Sequence, residues 1–200
     1  MNMKESIKVL PYIDVINKLA IEEKSEGWLA WCEDNELFQY PVLEWIDTIA
    51  ETIRNTGSKK NLEIASGNGI IGNAIKDSGL PIVLSDLTGK QDIENLDAKK
   101  ALSKYNPDLV FTCWVPFDSE IDSLILNYPT VKWYLTVIQT GSGFLGNELI
   151  WNFPGWNFKE ILSTIDFSVS RTDFLTKIDH GEHIVHGKTF LFTRELGLKK

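Results

Sequence analysis

A chain of 200 residues that is 43% hydrophobic and carries seven tryptophans has enough apolar mass for a sizeable buried core, which excludes a disordered protein. Its formal charge of −8, from 20 Lys and Arg against 28 Asp and Glu, is a poor match for phosphates, so no nucleic-acid partner is expected. No apolar run reaches the length of a membrane span, and no signal-type hydrophobic segment follows the polar start, so no membrane partner and a cytoplasmic location are expected. Cys32 and Cys113 are far apart and read as buried, reduced thiols.

Residues 1–60 read as a helical extension of a single domain whose core is 61–200. Ile13, Ile16 and Leu19-Ala20 recur at helical spacing up to Glu23. A stronger stripe follows Pro41, with Val42, Trp45, Ile46, Ile49, Ala50 and Ile53 on one face and Gly57 as its stop. Trp28, Trp31, Phe38 and Tyr40 lie between the two patterns. They read either as a wrap over the core or as a lid over a pocket.

The stretch from Asn61 to Gly72 organises the rest of the chain. Leu62 to Ala65 is a short apolar strand, Gly67 and Gly69 form a turn, and Ile70 to Lys76 is a helical pattern stopped at Gly79. A strand, a glycine turn and a helix start make a ligand cradle, because glycine admits close backbone approach and free helix N–H groups face the ligand. The spacing Gly67-x-Gly69-x-x-Gly72 also fits a dinucleotide fingerprint. The run Glu63-x-Ala65-x-Gly67-x-Gly69 resembles motif I of the class I S-adenosylmethionine (SAM)-dependent methyltransferases, with Ala65 where that family usually has its first glycine. The resemblance implies SAM as cofactor, held by Glu63, Ala65, Ser66, Gly67, Asn68 and Gly69. A nicotinamide-dependent oxidoreductase shares the glycine loop, but a carboxylate at Glu63 is unusual there and no Tyr-x-x-x-Lys pair follows.

Pro81 to Asp86 reads as a buried parallel strand ending in an acid, where a carboxylate can accept both ribose hydroxyls of a nucleoside or form an Asx turn or helix cap. Asp97-Ala98 resembles motif III of the same family, in which the acid meets the adenine amino group; Asp97 is equally a good helix N-cap. Ten residues separate Asp86 from Asp97, so a loop is expected to replace the helix of that crossover. Asp108 to Pro116 is the next strand. Its end carries Cys113 and Trp114, both expected at the cofactor, with Trp114 either an aromatic wall for a sulfonium or a core residue. The acids Asp118, Glu120 and Asp122 read as a solvated helix start. A group of poorly characterised SAM-fold proteins is similar in its Glu-x-x-Asp-Ala, Asp-Leu-Val and Trp-x-Pro runs, a likeness spanning roughly residues 60–195.

Trp133 to Gln139 is a further strand, followed by Gly141-x-Gly143-x-x-Gly146, a loop expected at the same sheet edge, with Asn147 and Glu148 as reactive candidates. Trp151, Phe153 and Trp156 either line an acceptor pocket or form a hydrophobic cluster. Phe158 to Ile165 reads as a short helix, and Phe167 to Ile178 with Thr189 to Arg194 as an antiparallel pair turning near His180-Gly181. The spacing His180-x-x-His183-x-x-His186 makes no metal site on a hairpin whose alternate residues face opposite sides, although His180 or His183 at a loop end suits a general base.

Together these readings give an α/β, Rossmann-like methyltransferase fold with a mostly parallel sheet, a C-terminal antiparallel hairpin, a helical N-terminal extension and a shortened second crossover. The resemblance implies methyl transfer from SAM to a small molecule or protein side chain, with Trp114 and Glu148 flanking the transferred methyl group. A non-catalytic SAM-fold binding protein is the other reading. The acceptor and the oligomeric state are not legible.

Overall fold

A computed structural model describes residues 7–24, 27–90, 92–116, 119–139, 148–173 and 187–195. The glycine stretch forms strand β1 (Asn61–Ile64) and helix α4 (Ile70–Asp77); before them come helices α1 (Tyr12–Lys24), α2 (Trp28–Asp34) and α3 (Leu43–Thr56). Strands β2 (Val83–Asp86) and β3 (Glu94–Asn95) follow, then helix α5 (Ala98–Tyr105), β4 (Leu109–Cys113), α6 (Ile121–Asn127), β5 (Trp133–Gln139), β6 (Trp156–Glu160) and β7 (Gly187–Arg194). The sheet order is β3-β2-β1-β4-β5-β7-β6, and β7 runs antiparallel to both of its neighbours while the pairs from β3 to β5 are parallel. All four residues of β1 are buried, as a central parallel strand covered on both faces requires.

Two hydrophobic clusters cover the sheet. Residues of α1 to α4 meet Phe111, Leu135 and Val137 in one; residues of α5 and α6 meet Leu62, Val110 and Tyr134 in the other. The helical extension is therefore built into the core. The α3 stripe is as read from the sequence, with Trp45, Ile46, Ile49, Ala50 and Ile53 buried and Gly57 closing the helix at φ 73°. In α1, Leu19 is buried and Ile16 packs on the core as read from the sequence, whereas Ile13 is exposed and Val15 takes the inward position beside them. Trp28, Trp31 and Tyr40 stack on one another, and Trp28 Nε1 donates to Ser170 O at 3.1 Å. That is the wrap reading; Phe38, exposed, is not part of it. No helix among the described residues is long and apolar enough to cross a membrane.

The described residues between Asp86 and Glu94 form no helix, as the short crossover required, and β3 is reduced to two residues paired with Ser85 and Asp86. Two expectations at the C-terminal side fail. The segment read as a helix from Phe158 to Ile165 is β6 followed by a 3-10 turn, Leu162–Phe167. Its apolar spacing suited a helix, but five backbone pairings with β7 decide the conformation, as edge pairing commonly overrides local propensity. Correspondingly, β7 pairs antiparallel with β6 and β5; of the segment 167–178 read as its partner, the described part ends at 173, and Ser170 bridges to Gln39. Asp122 is also not solvated: it is buried and accepts a hydrogen bond from Tyr134 Oη, which is joined to Thr112 Oγ1 at 2.8 Å. A hydroxyl available across the core turns this helix start inward.

Candidate functional site

The carboxyl ends of β1, β2 and β4 open into a cleft of about 260 Å³, with residues 36–39 of the extension as its far wall. This is where an open α/β sheet binds ligands, outside its strand ends at the point where the strand order reverses. The cleft brings together Glu63, Ala65, Ser66, Gly67 and Asn68 from the glycine turn, Asp86 from β2, and Cys113 and Trp114 from β4.

The turn is held by its own backbone and by both neighbours. Ser66 N donates to Ser85 O at 3.1 Å, Gly69 N to Ser66 O at 2.8 Å, and Gly67 N to Asp86 Oδ2 at 2.9 Å. Asn68 Nδ2 donates to Glu36 O at 3.0 Å, tying the turn to the extension, while its Oδ1 accepts from Ile70 N. Gly69 is buried under Ile93 rather than lining the cleft. Ala65 has φ 58°, the left-handed region in which a Cβ is strained. That is the physical content of the glycine usual at this position. Ala65→Gly is therefore expected to raise stability by about 0.5–1 kcal/mol, the relieved strain outweighing the added freedom of the unfolded chain. A shift of the urea midpoint to higher concentration at unchanged slope is the expected measurement.

Glu63 is fully buried on β1, and its Oε2 has no hydrogen-bond partner. Burial pushes its carboxyl up to about 8; Lys76 partly opposes this and Asp86 adds to it. At neutral pH the carboxyl is thus mainly protonated, beside a cleft in which a cation would draw it into its ionised form. Next to it, burial drives the Cys113 thiol well above its ordinary range, with the Glu63 charge acting in the same direction. Across the cleft, Asp86 accepts from Gly67 N through one oxygen and from Thr88 N and Oγ1, both at 2.8 Å, through the other. The Asx turn is therefore present, and it fixes the carboxylate at the cleft.

Trp114 is the second strained residue of the site, at φ 59° directly after β4. Its N–H donates to Val137 O at 2.9 Å, its Nε1 to Gln39 Oε1 at 3.3 Å, and its ring lies 5.9 Å from that of Phe38. Gln39 is itself buried and donates to Ser168 Oγ at 3.2 Å. Sequence reasoning did not single out Gln39, Glu36, Thr88 or Lys90 as cleft residues; the signal available was the position of Gln39 between Phe38 and Tyr40, inside the segment read as either a wrap or a lid. Phe38, exposed, lines the cleft without joining the stacked rings. Glu36 and Lys90 face each other over the mouth at 3.8 Å, an exposed pair that contributes little.

Asp97 and Ala98 are not among the lining residues. Asp97 caps α5, accepting from Lys100 N at 2.8 Å, and that bond with the Lys100 charge holds its carboxyl below the usual range. Ala98 packs against the second core cluster. Trp151 packs edge-on to Phe190 at 4.8 Å, and Trp156 donates to Leu126 O, which is the hydrophobic-cluster reading of these aromatics. Gly141, Gly143, Gly146, Asn147 and the histidines 180, 183 and 186 lie outside the described residues, as do Phe117 and Asp118. Glu148 opens the 3-10 turn Glu148–Asn152, with its side chain outside what the structure describes.

With β1 central, the order reversing between β1 and β4, and an antiparallel β7 inserted between β5 and β6, the chain has the class I SAM-dependent methyltransferase fold. No family model matches the chain, and none of the curated proteins matches it. Among solved structures, two of the methyltransferase domain of bacterial CtHen1 are similar. They are 8% and 9% identical, covering 76% and 74% of this chain and 98% and 96% of theirs, at TM-scores of 0.47 and 0.42. The 23S rRNA methyltransferase ErmE is 15% identical, covering 75% of this chain and 68% of its own, at a TM-score of 0.41. At such identities the likeness is one of fold alone. The expectation of no nucleic-acid partner is corrected to this extent: ErmE is a 23S rRNA methyltransferase, and net charge excludes no partner class for this chain. The physical reason is that a net charge is a sum, whereas phosphates respond to the local arrangement of cations.

Proposed function

We propose that this protein is a SAM-dependent methyltransferase that holds its methyl donor in the cleft between the glycine turn, Asp86 and Trp114. One observation carries the reading: a buried carboxyl without a partner on one oxygen, Glu63, lies at the cleft beside a glycine turn, and a fixed carboxylate, Asp86, stands at the adjoining strand end. Bound SAM supplies an activated methyl group together with its own leaving group. The protein's part is then positioning and electrostatics. Glu63 compensates a cation that enters beside it. The turn lets the donor's amino-acid part approach the backbone, and Asp86 accepts the ribose hydroxyls. Trp114, fixed by Gln39, offers a ring face to the sulfonium. Asp97, Ala98 and Glu148 keep the adenine and acceptor-side roles on the resemblance alone. Residues 1–200 act as one domain, and two free thiols suit a cytoplasmic location.

Calorimetric titration with SAM, S-adenosylhomocysteine and NADH tests the cofactor: the first two are expected to bind and the third is not. Asp86→Ala should weaken S-adenosylhomocysteine by about 1.5–3 kcal/mol, the scale of hydrogen bonds to a charged group. Unchanged affinity in a variant that keeps its circular dichroism removes Asp86 from the ribose. Transfer of labelled methyl groups into an extract separated into small-molecule, protein and RNA fractions identifies the acceptor class. No transfer into any fraction, with SAM still bound, returns the protein to a binding role.

A further inference from the structure

A second cleft lies at the opposite end of the sheet, at the amino ends of β1 and β2. Its volume is about 470 Å³, within the range of small-molecule sites, roughly 300–1,000 Å³. Its floor and side are apolar or aromatic: Ile82, Pro81, Pro107 and the half-buried ring of Tyr105. Three lysines, Lys59, Lys60 and Lys76, line it, and none has an ion-pair partner within 4 Å among the described residues. The nearby acids are engaged. Asp108 accepts from the backbone N–H groups of Lys59 and Lys60 at 2.8–3.2 Å, and Glu94 is bound to Lys104 at 2.7 Å. In a chain of net charge −8, three lysines around one apolar-lined cleft outnumber the Asp108 carboxylate held beside two of them, which leaves a local excess of positive charge.

We infer that this cleft binds a nucleoside phosphate, its base against Tyr105 and its phosphate among Lys59, Lys60 and Lys76. The chemistry asks for an anion of small size joined to a flat apolar group. A phosphate alone leaves the floor uncovered, and an apolar ligand leaves three cations unanswered. Tyr105 lines the cleft half-buried, with Lys104 Nζ over its ring at 5.0 Å from the centre, and what it exposes to the cleft is an aromatic contact for a base. This site is separate from the donor cleft, and its existence does not depend on the methyltransferase reading.

The test is calorimetry on the full chain at low salt. The probes are AMP, adenosine, inorganic phosphate, and a short oligonucleotide with and without a 5′-phosphate, all added with the donor cleft saturated by S-adenosylhomocysteine. If S-adenosylhomocysteine does not bind, the same titrations are read without it. AMP is expected to bind more tightly than adenosine or phosphate alone and to weaken as salt rises. Lys59→Ala/Lys60→Ala should weaken it at least tenfold, and Tyr105→Leu severalfold, while S-adenosylhomocysteine affinity stays unchanged; Lys76 is left in place because its charge acts on Glu63 of the donor cleft. If the phosphorylated oligonucleotide outcompetes AMP, the nucleoside phosphate is the end of a nucleic acid; if AMP alone binds, it is a free nucleotide. Three results overturn the proposal: no binding by AMP or oligonucleotide, AMP displaced by S-adenosylhomocysteine, or equal AMP affinity in the Lys59→Ala/Lys60→Ala variant and the parent.

Discussion

Replacing Glu63 by glutamine is expected to remove a steep loss of stability between about pH 4.5 and 8. In the parent, burial raises this carboxyl from 4.5 to about 8, against Lys76 and with Asp86. Below the lower value both folded and unfolded chains carry the proton, and Glu63 adds no pH dependence. Between the two values the unfolded chain releases a proton that the folded chain keeps. Stability then falls as pH rises, by about 1.4 kcal/mol per pH unit at full difference. Above about 8 the folded carboxyl ionises and the loss levels off, having reached on the order of 3–5 kcal/mol. Glutamine cannot ionise, so Glu63→Gln should gain on the parent steadily from pH 5 to pH 8. Urea unfolding at pH 5, 6.5 and 8 measures this, and parallel pH curves for the two proteins would refute it. The same coupling makes affinity for a cationic donor rise with pH through this window, and the glutamine variant should lose that rise.

Gly72→Ala is expected to cost about 3 kcal/mol, at the upper end for overpacking a well-filled site. The third glycine of the turn sits where α4 crosses β1 and β2. A Cβ added there falls inside the contact distance of both Leu84 Cδ2 and Glu63 Oε2. Leu84 is fully buried and cannot yield without displacing its neighbours, and Glu63 would be driven toward the cleft. A fall in Tm of roughly 6–12 °C is expected for a domain of this size, together with weakened S-adenosylhomocysteine binding. A Tm within 2 °C of the parent would show that helix and strand separate freely here.

The local motifs were legible because each is a short-range constraint. Glu63, Gly67 and Gly69 announce a strand, a turn and a helix within nine residues, and the ten residues between Asp86 and Asp97 leave no room for a crossover helix. What pairs with what was not legible where the apolar pattern fits two periods. Phe158, Ile161, Leu162 and Ile165 suit a helix, and only the presence of β7 makes their first part a strand. Asp122 shows the same limit for charge, because its buried partner Tyr134 lies twelve positions away on another element. In the site, the motif residues of β1 and β2 were found from sequence, but the wall they face was not. Gln39 reaches Trp114 across 75 positions of chain, and no local pattern encodes such a bond.

The insertion of β7 between β5 and β6 has a consequence for how the molecule is made. The strand that joins β5 to β6 is the last of the seven to be synthesised. At roughly 5–20 residues per second, the 26 residues between Glu160 and Gly187 take about 1–5 s to appear. During that interval β5 presents a bare rim of peptide groups to its surroundings, and β6 has no ladder to join. Such rims recruit strands from other molecules. The nascent chain is therefore most open to misassembly just before its final strand arrives. Arg194 then locks the arrival by donating to the carbonyls of Leu126, Tyr128 and Val131 at 2.7–3.0 Å. Variants that weaken this clasp are expected to lower the yield of soluble protein more than they lower the stability of the finished fold.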